Sequence, residues 1–399
     1  MNPIKKFCYR IYQKTMHLAS YLLNFNPPEI LQGEDALGKQ LKDKLDSLGY
    51  HRPLLIITPS MLRRGAHAKL EEAHIDFIPF DKVEPNAPFR LVYEAKKAYL
   101  DNKCDCLIAL GGGSAIDIAK AAGALISNPK MDLYGLKGVL KVRKKPPYMI
   151  AVPTTAGSGS EATVAAVVMN EENHDKFAIN DPKLIPDLAI LDGELLISLP
   201  PHIISTTGMD ALTHAVEAYI GHSNTKRTKH SAEGAVMLIR DYLYRFYLDP
   251  NDKEARDGMQ RASFLAGVAF TRAYVGYVHA LAHALGGQYG VAHGYANAVL
   301  LPQVLRSYGK KAHRKLAKLS DLLGLTEKGE SQARKAEAFI SWNDELNKSM
   351  EIPDKFGGLI KEEDIIPLAK HAEKEGNPLY PVPRIMDHND LAKILRGVN

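Results

Sequence analysis

The sequence CLIALGGGSAIDIAK at residues 106–120 decides the fold class, because it joins an apolar strand, a glycine turn and the start of a helix. Residues 106–110 are predicted to form the strand and residues 111–113 the turn, and Ser114 is predicted to be the N-cap of a helix that reaches Ala124. Glycines let a ligand approach the backbone, and the free N–H groups of a helix N-terminus attract an anion. The turn is therefore a candidate phosphate site, with an ordinary tight turn as the alternative.

A second stretch, PTTAGSGSEAT at residues 153–163, is rich in small hydroxyl residues and glycine. Apolar runs flank it, MIAV before it and VAAVVM after it. This flanking predicts a position at the carboxyl ends of buried strands, where ligands bind in open α/β sheets. A flexible surface linker is the alternative.

Short apolar runs alternate with helical patterns in the first half of the chain: PLLIITP, IDFIPF, CLIALGGG, YMIAVP and LAILD. The alternation predicts βαβ units around a mostly parallel sheet. From Pro200 onward helical periodicity dominates, and Pro200-Pro201 is a natural helix start. We expect an amphipathic helical arm at 1–27, an α/β domain at 28–195 and an all-α domain at 196–399.

Five residues with the chemistry of metal ligands occur at regular spacing in the second half of the chain. Asp210 and His214 are four apart in TGMDALTHAVEAY, His279 and His283 are four apart in GYVHALAHALGG, and His293 follows in GGQYGVAHG. A spacing of four places two side chains on one helix face, one turn apart. A carboxylate with several imidazoles is typical of a divalent-metal site. Taken singly, each histidine has a structural alternative in the core, and Asp210 has one at a helix N-terminus.

Together these motifs resemble the iron-containing (group III) alcohol dehydrogenase family, and the resemblance covers nearly the whole chain from about residue 28. Its segments are GGGSAID at 111–117, PTTAGSGSEAT at 153–163, KFAINDPKLIPDLAILD at 176–192, GMDALTHAVEAY at 208–219 and GYVHALAHALGGQYGVAHGYANAVLLP at 276–302. The resemblance implies a Rossmann-like dinucleotide-binding α/β domain followed by an all-α metal-binding domain, the dehydroquinate synthase-like architecture. It also implies a homodimer.

The resemblance implies one divalent metal bound by Asp210, His214, His279 and His293. Iron(II) is the expected ion and zinc(II) the alternative, since oxygen and imidazole ligands accept either. The implied reaction is hydride transfer between a nicotinamide and an alcohol or aldehyde whose oxygen is bound to the metal. His283 matches a family histidine beside the site, and we expect it to relay a proton. Orienting a metal ligand is its alternative role.

The cofactor residues that the motifs and the resemblance imply lie in the first half of the chain. They are Thr58, Pro59, Ser60, Gly111, Gly112, Gly113, Ser114, Asp117, Thr154, Thr155, Ser158 and Lys176. Asp117 is predicted to lie in the first turn of its helix. The cofactor is expected to be NADP(H) or NAD(H), with its pyrophosphate at the glycine turn.

The choice between the two nucleotides depends on the residues after Thr58, which aligns with a family threonine often followed by aspartate. That aspartate would repel a 2′-phosphate, but Pro59 and Ser60 follow here. Arg63 and Arg64 come soon after and have the donors to pair with a phosphate. We therefore expect NADP(H) to serve at least as well as NAD(H), with solvated arginines as the alternative.

Three positions, Ala165, Phe270 and Val275, match the alcohol pocket of the family. They are apolar, so a small or medium primary alcohol or aldehyde is expected rather than a polyol. The sequences TRAY at 271–274 and GNPLYPVPRI near the C-terminus depart from the family pattern. A glycerol dehydrogenase-like polyol oxidoreductase, a dehydroquinate synthase-like lyase and a non-catalytic protein are the alternatives, and the intact ligand set argues against all three.

Composition excludes several other classes of protein. The net charge of +5 is modest, and neither a zinc finger nor a dense basic helix indicates a nucleic-acid partner. Three cysteines form no disulfide framework, so we expect a cytoplasmic protein. No apolar run is long enough to predict a transmembrane segment.

The first 25 residues carry apolar side chains at helical spacing, with Lys5, Lys6, Arg10 and Lys14 between them. This pattern predicts an amphipathic basic helix. We expect the helix to dock on its own chain or on a neighbouring subunit. A membrane-surface helix and a weak signal peptide are the alternatives.

Overall fold

The computed structural model describes residues 2–33, 35–173 and 175–399, which form two compact units. One unit is Asn24–Ser198, and the other is Leu199–Asn399 together with the described residues before Asn24. The N-terminal arm is therefore part of the helical unit.

Nine strands occur in the described chain, and all belong to the unit Asn24–Ser198. They are β1 (Glu29–Gln32), β2 (Pro53–Ile57), β3 (Ile78–Phe80), β4 (Cys106–Gly111), β5 (Gly138–Val139), β6 (Met149–Pro153), β7 (Ala165–Met169), β8 (Lys176–Asn180) and β9 (Leu188–Leu191). Six of them form a parallel sheet in the order β1-β9-β6-β4-β2-β3. The other three form a small sheet in the order β5-β8-β7, in which β7 and β8 are antiparallel.

Sixteen α-helices accompany the strands in the described chain. In the first half they are α2 (Leu41–Leu48), α3 (Pro59–Arg63), α4 (Ala68–Glu72), α5 (Phe89–Asp101), α6 (Gly113–Ser127) and α7 (Leu133–Leu136), preceded by the arm helix α1 (Pro3–Ala19). In the second half they are α8 (Pro201–Ile220), α9 (Lys226–Leu248), α10 (Lys253–Ala273), α11 (Tyr277–Tyr289), α12 (His293–Tyr308), α13 (Lys310–Leu323), α14 (Gln332–Ser349), α15 (Glu362–Gly376) and α16 (His388–Val398).

The predicted α/β architecture is confirmed, and the five apolar runs of the sequence are five of the six strands in the large sheet. The central strands β2, β4 and β6 are buried along their whole length, as expected for parallel strands with both faces covered.

Sequence reasoning missed β1. This strand pairs only with β9 at the edge of the sheet and is mostly exposed, so it lacks the apolar pattern.

The prediction that Ser114 caps α6 is wrong. Gly111 pairs with Pro153 as the last residue of β4, so Gly112 alone makes the turn and becomes the N-cap. Ser114 is the second residue of the helix, and its Oγ accepts a hydrogen bond of 3.2 Å from the N–H of Asn86. Because the helix begins at Gly113, Asp117 lies beyond its first turn, contrary to prediction.

The loop at 153–163 is fixed rather than flexible, because a buried lysine binds it. Lys120 of α6 is fully buried, and its Nζ donates to the carbonyl oxygens of Ser160 at 2.7 Å, Thr163 at 2.8 Å and Ala165 at 2.9 Å. Burial lowers the pKa of Lys120 to about 8, although the nearby carboxylate of Asp117 acts to raise it. The flexible-linker alternative is thereby excluded.

Helix α8 lies at the centre of the helical unit and is buried along most of its length. Gly208 permits close contact with α9, because a Cβ at this position would lie 2.2 Å from Leu243 Cδ1. Gly294 at the start of α12 permits close contact with α8, because a Cβ there would lie 2.4 Å from the carbonyl oxygen of Thr206. Within the described residues, no helix is both long and apolar enough to cross a bilayer.

Candidate metal and cofactor sites

Three helices of the helical unit bring the four expected metal ligands together. Helix α8 carries Asp210 and His214, α11 carries His279, and α12 begins at His293. One ligand atom from each of these four side chains lies within 4.8 Å of all the others. Residues up to 83 positions apart in the sequence therefore form one cluster in the fold.

The Asp210 carboxylate is the common neighbour of the three imidazoles. Its Oδ1 lies 3.9 Å from His214 Nδ1, 3.9 Å from His279 Nε2 and 3.5 Å from His293 Nε2. Aromatic contacts fix the rings, since His214 stacks on Phe270 with ring centroids 4.1 Å apart. All but His293 are buried, and His293 is partly exposed.

Glu217, one helical turn beyond His214, fixes the orientation of His279. Its Oε2 lies 2.7 Å from His279 Nδ1 and accepts a 2.7 Å hydrogen bond from the N–H of Gly276. Its Oε1 accepts a 2.9 Å hydrogen bond from the N–H of Val278. Burial raises the pKa of Glu217 to about 7, while the hydrogen bonds that it accepts from the backbone N–H groups of Val278, Gly276 and His279 act to lower this pKa. The contact to Nδ1 leaves His279 Nε2 facing Asp210.

Asn297 completes the cluster from α12, one turn beyond His293, and is fully buried. Its Nδ2 donates to Asp210 Oδ1 at 2.7 Å and lies 3.1 Å from His293 Nε2 and 3.4 Å from His279 Nε2. Its Oδ1 has no hydrogen-bond partner among the described residues. The NH₂ group, which is the positive end of the amide dipole, thus faces the carboxylate oxygen and the ring nitrogens of the cluster.

These side chains fit a divalent cation. Burial, together with the neighbouring histidines His214, His293 and His283, lowers the pKa of His279 well below its ordinary value. A neutral imidazole keeps the lone pair that a metal needs. The carboxylate of Asp210 supplies negative charge in a buried place, which is costly to leave uncompensated. One carboxylate and three imidazoles form a donor set that suits iron or zinc.

His283 lies on α11 one turn from His279, and it stacks on His293 with ring centroids 5.1 Å apart. Its Nδ1 is 2.7 Å from Glu375 Oε1, which also accepts a 2.7 Å hydrogen bond from the hydroxyl of Tyr380. Burial acts to raise the pKa of Glu375, but His283, the Tyr380 hydroxyl and His371 together lower this pKa below its ordinary value. The His283 side chain is 44% exposed, so it connects the cluster with solvent.

In the unit Asn24–Ser198, most of the expected cofactor residues follow the carboxyl ends of the adjacent strands β2, β4 and β6, while Lys176 begins β8 of the small sheet. Gly111, Gly112 and Gly113 follow β4, and Thr154 N–H donates to the carbonyl oxygen of Gly111 at 3.1 Å. A Cβ on Gly112 would lie 3.6 Å from Thr155 Oγ1, which is ordinary contact. On Gly111 it would lie 2.7 Å from Ala115 Cβ, which is too close.

Of the other expected cofactor residues, Ser158 faces the glycine turn, whereas Asp117 and Lys176 bind other parts of the protein. Ser158 faces the turn, since a Cβ on Gly113 would lie 3.3 Å from its Oγ. Asp117 accepts hydrogen bonds from Ser160 Oγ at 2.9 Å and from the N–H of Val167 at 3.2 Å. Asp117 therefore supports the loop and β7 instead of the open turn. Lys176 donates to Asn86 Oδ1 at 3.0 Å, and burial lowers its pKa.

Thr58 directly follows β2 and is the N-cap of α3. Its Oγ1 accepts a 3.3 Å hydrogen bond from the N–H of Met61, while Pro59 starts the helix. Ser60 Oγ lies 3.3 Å from Thr58 Oγ1. Arg63 is exposed. Arg64 donates to Ser198 Oγ at 2.5 Å, so it has a structural partner.

The residues expected to line the alcohol pocket are divided between the two units. Ala165 lies on β7, where its carbonyl oxygen accepts the Lys120 hydrogen bond. Phe270 packs on His214 near the end of α10, and Val275 lies in the short connection to α11. The guanidinium of Arg272 lies over the ring of Tyr21 at 4.3 Å, which holds it against the N-terminal arm.

Sequence reasoning missed three polar residues around the cluster, Glu217, Asn297 and Glu375. Two of them left a signal, since Glu217 is three residues beyond His214 and Asn297 is four beyond His293, on the same helix faces. Glu375 left none, because 92 residues separate it from His283.

Comparisons with known proteins agree with this architecture. The family model "Iron-containing alcohol dehydrogenase" matches residues 27–193, and "Fe-containing alcohol dehydrogenase family, C-terminal" matches residues 204–398. NAD-dependent methanol dehydrogenase of Bacillus methanolicus is 34% identical over 94% of this chain and 98% of its own length. 1,3-Propanediol dehydrogenase of Klebsiella pneumoniae is 37% identical over 89% of this chain and 93% of its own.

A solved structure of 1,3-propanediol oxidoreductase superposes with a TM-score of 0.90 at 35% identity. The match covers 94% of this chain and 100% of that one. Sequence and fold agree over both units, and the candidate metal cluster lies within the matched C-terminal region. The chain therefore belongs to the iron-containing alcohol dehydrogenase family and is an enzyme of that family.

Proposed function

We propose that this enzyme is a metal-dependent, NAD(P)-linked alcohol dehydrogenase that also reduces the corresponding aldehydes. The observation that carries the proposal is the cluster of Asp210, His214, His279 and His293, whose ligand atoms lie within 4.8 Å of one another. The relatives of this enzyme include dehydrogenases named for methanol and for 1,3-propanediol. An absorbance assay of nicotinamide oxidation with a panel of aldehydes, and of its reduction with alcohols including glycerol, tests the proposal.

In this proposal the four clustered side chains hold one divalent ion, iron(II) by family or zinc(II) as the alternative. A bound divalent ion acts as a Lewis acid toward a substrate oxygen. Glu217 keeps His279 Nε2 directed at the cluster, and Asn297 donates to Asp210. The apolar face of Phe270 against His214 excludes water from one side of the cluster.

A proton must also leave the site when an alcohol is oxidised. His283 is suited to accept it, because Glu375 holds its Nδ1 and thereby leaves Nε2 as the exchanging nitrogen. The hydroxyl of Tyr380 donates to the same oxygen, Oε1 of Glu375, and so helps to hold this carboxylate in place. The exposed fraction of His283 gives the proton a route to solvent.

The cofactor in this proposal binds over the glycine turn of the unit Asn24–Ser198. The N–H groups at the start of α6 receive the pyrophosphate, and the hydroxyls of Thr154, Thr155 and Ser158 surround it. Nicotinamide dinucleotides supply the hydride chemistry. The protein contributes the rigid platform, since Lys120 holds the 153–163 loop in place.

The first prediction concerns the metal ligands. Asp210→Ala and His279→Ala should each lower metal affinity by more than about a hundredfold, beyond the effect of losing a hydrogen-bond partner of a ligand. Metal content of anaerobically prepared protein, measured by plasma emission, checks this. His283→Ala is the matched control and should keep one metal per chain with an altered pH–rate profile. Stoichiometric metal in both ligand variants would refute the assignment.

The second prediction concerns Glu217. Glu217→Gln should lower metal affinity by about tenfold to a hundredfold, because a carboxamide cannot accept from all three N–H groups that the carboxylate holds. Competition between the protein and a chromophoric chelator for Zn²⁺ measures the effect. Glu233→Gln, which removes a carboxylate that accepts from the Tyr219 hydroxyl, should leave affinity unchanged. Equal Zn²⁺ affinity of Glu217→Gln and the parent would contradict the positioning role.

The third prediction concerns the glycine turn. Gly112→Val should raise the KM for cofactor at least about tenfold, or 1.4 kcal/mol, while metal content and Tm stay unchanged. The reason is that a Cβ on Gly112 meets the protein only at ordinary contact distance, so its effect must come from the ligand. Gly111→Val should instead lower Tm, because of the clash with Ala115. An unaltered KM in Gly112→Val would make the turn purely structural.

The fourth prediction concerns nucleotide choice. We propose that NADPH serves at least as well as NADH, because Pro59 and Ser60 provide no carboxylate to repel a 2′-phosphate. Arg63→Ala should then lower kcat/KM for NADPH and spare that for NADH, since both arginines are exposed but Arg64 is engaged by Ser198. Steady-state kinetics with one good aldehyde decide the matter. A preference for NADH of about a hundredfold, roughly 2.7 kcal/mol, would overturn it.

A further inference from the structure

The N-terminal helix α1 docks on the helical unit through its polar face. Gln13 is 4% exposed, and its Nε2 donates to the carbonyl oxygens of Pro378 at 2.9 Å and Tyr380 at 2.8 Å. Arg10 donates to the carbonyl oxygen of Pro383 at 3.0 Å. These bonds to main-chain atoms fix the rotation of the helix about its own axis.

The opposite face of the arm is apolar and faces outward. Its exposed side chains and their exposed fractions are Ile4 71%, Phe7 66%, Ile11 50%, Leu18 72% and Leu22 89%. The intervals of three, four and seven residues place the first four on one side of α1, and Leu22 follows in the 3₁₀ turn Ser20–Leu22. We call these five side chains the arm stripe. Large apolar side chains that are exposed together along one side of a helix mark a candidate interaction site.

The charged side chains of the arm itself are all positive, and Glu373 of α15 is an acidic group close enough to act on Lys5. Residues 2–22 contain Lys5, Lys6, Arg10 and Lys14 and no aspartate or glutamate. With about 100° of rotation per residue, Lys5 lies on one side of the stripe and Lys14 on the other. Both lysines are exposed. If the arm paired with the arm of a second copy, the lysines of the two arms would repel each other. An anionic surface would instead attract both Lys5 and Lys14.

We propose that the arm stripe binds the surface of a bilayer that contains anionic lipids. The helix lies in the plane of the interface, with the five apolar side chains among the acyl chains and Lys5 and Lys14 at the headgroups. The polar face remains on the protein through Gln13 and Arg10, so the enzyme is held at the membrane surface without a spanning segment. The proposal is independent of the reaction proposed above.

Sedimentation with vesicles tests the proposal on the full-length protein. The parent should sediment with vesicles of phosphatidylcholine and phosphatidylglycerol and much less with phosphatidylcholine alone, and added salt should release it. Equal binding to both kinds of vesicle, or none to the anionic kind, would overturn the proposal.

Variants of the arm provide the second part of the test. Phe7→Asp/Ile11→Asp should abolish sedimentation, and Lys5→Gln and Lys14→Gln should each weaken binding about fivefold. Leu248→Asp on α9, at a comparably exposed leucine, is the control and should bind like the parent. All variants should keep the parent Tm and metal content. Unchanged vesicle binding by Phe7→Asp/Ile11→Asp, or a lipid-free oligomer that this variant dissociates, would show a different role for the stripe.

Discussion

The candidate site depends on one buried carboxylate, Glu217. It accepts from the backbone N–H groups of Gly276 and Val278 and contacts His279 Nδ1, so it joins α8 to the N-terminus of α11. A buried carboxylate is tolerated only when its oxygens are hydrogen-bonded, and here a free helix end supplies the donors. The same contacts that satisfy Glu217 therefore set the direction of a metal-binding imidazole.

Lys120 has a corresponding role in the other unit. Its ammonium donates to the carbonyl oxygens of Ser160 and Thr163 in the 153–163 loop and of Ala165 at the start of β7. In both units an interior charge is matched by main-chain groups instead of by one opposite charge. Such an arrangement holds a segment of backbone in a single conformation, which suits a site that must present N–H groups or ligands in fixed positions.

The arm shows how an amphipathic pattern can predict a helix without predicting its orientation. Periodicity over the first 25 residues predicted a helix, which the structure places at Pro3–Ala19, and the common expectation is that its apolar face packs inward. The structure buries Gln13 instead, because carbonyl oxygens of Pro378 and Tyr380 offer hydrogen bonds to it. The apolar stripe is left outward, and this outcome depends on a segment more than 360 residues away.

Local pattern alone determined five of the six strands of the large sheet, the glycine turn and the pairing of Asp210 with His214, because strand period and helix pitch act over a few residues. Tertiary structure alone decided which distant residues contact these strands and helices. It placed His293 beside Asp210, gave His283 the carboxylate of Glu375, and moved the helix start from Ser114 to Gly113 through the pairing of Gly111 with Pro153. These contacts join residues far apart in the chain, so no short-range spacing encodes them.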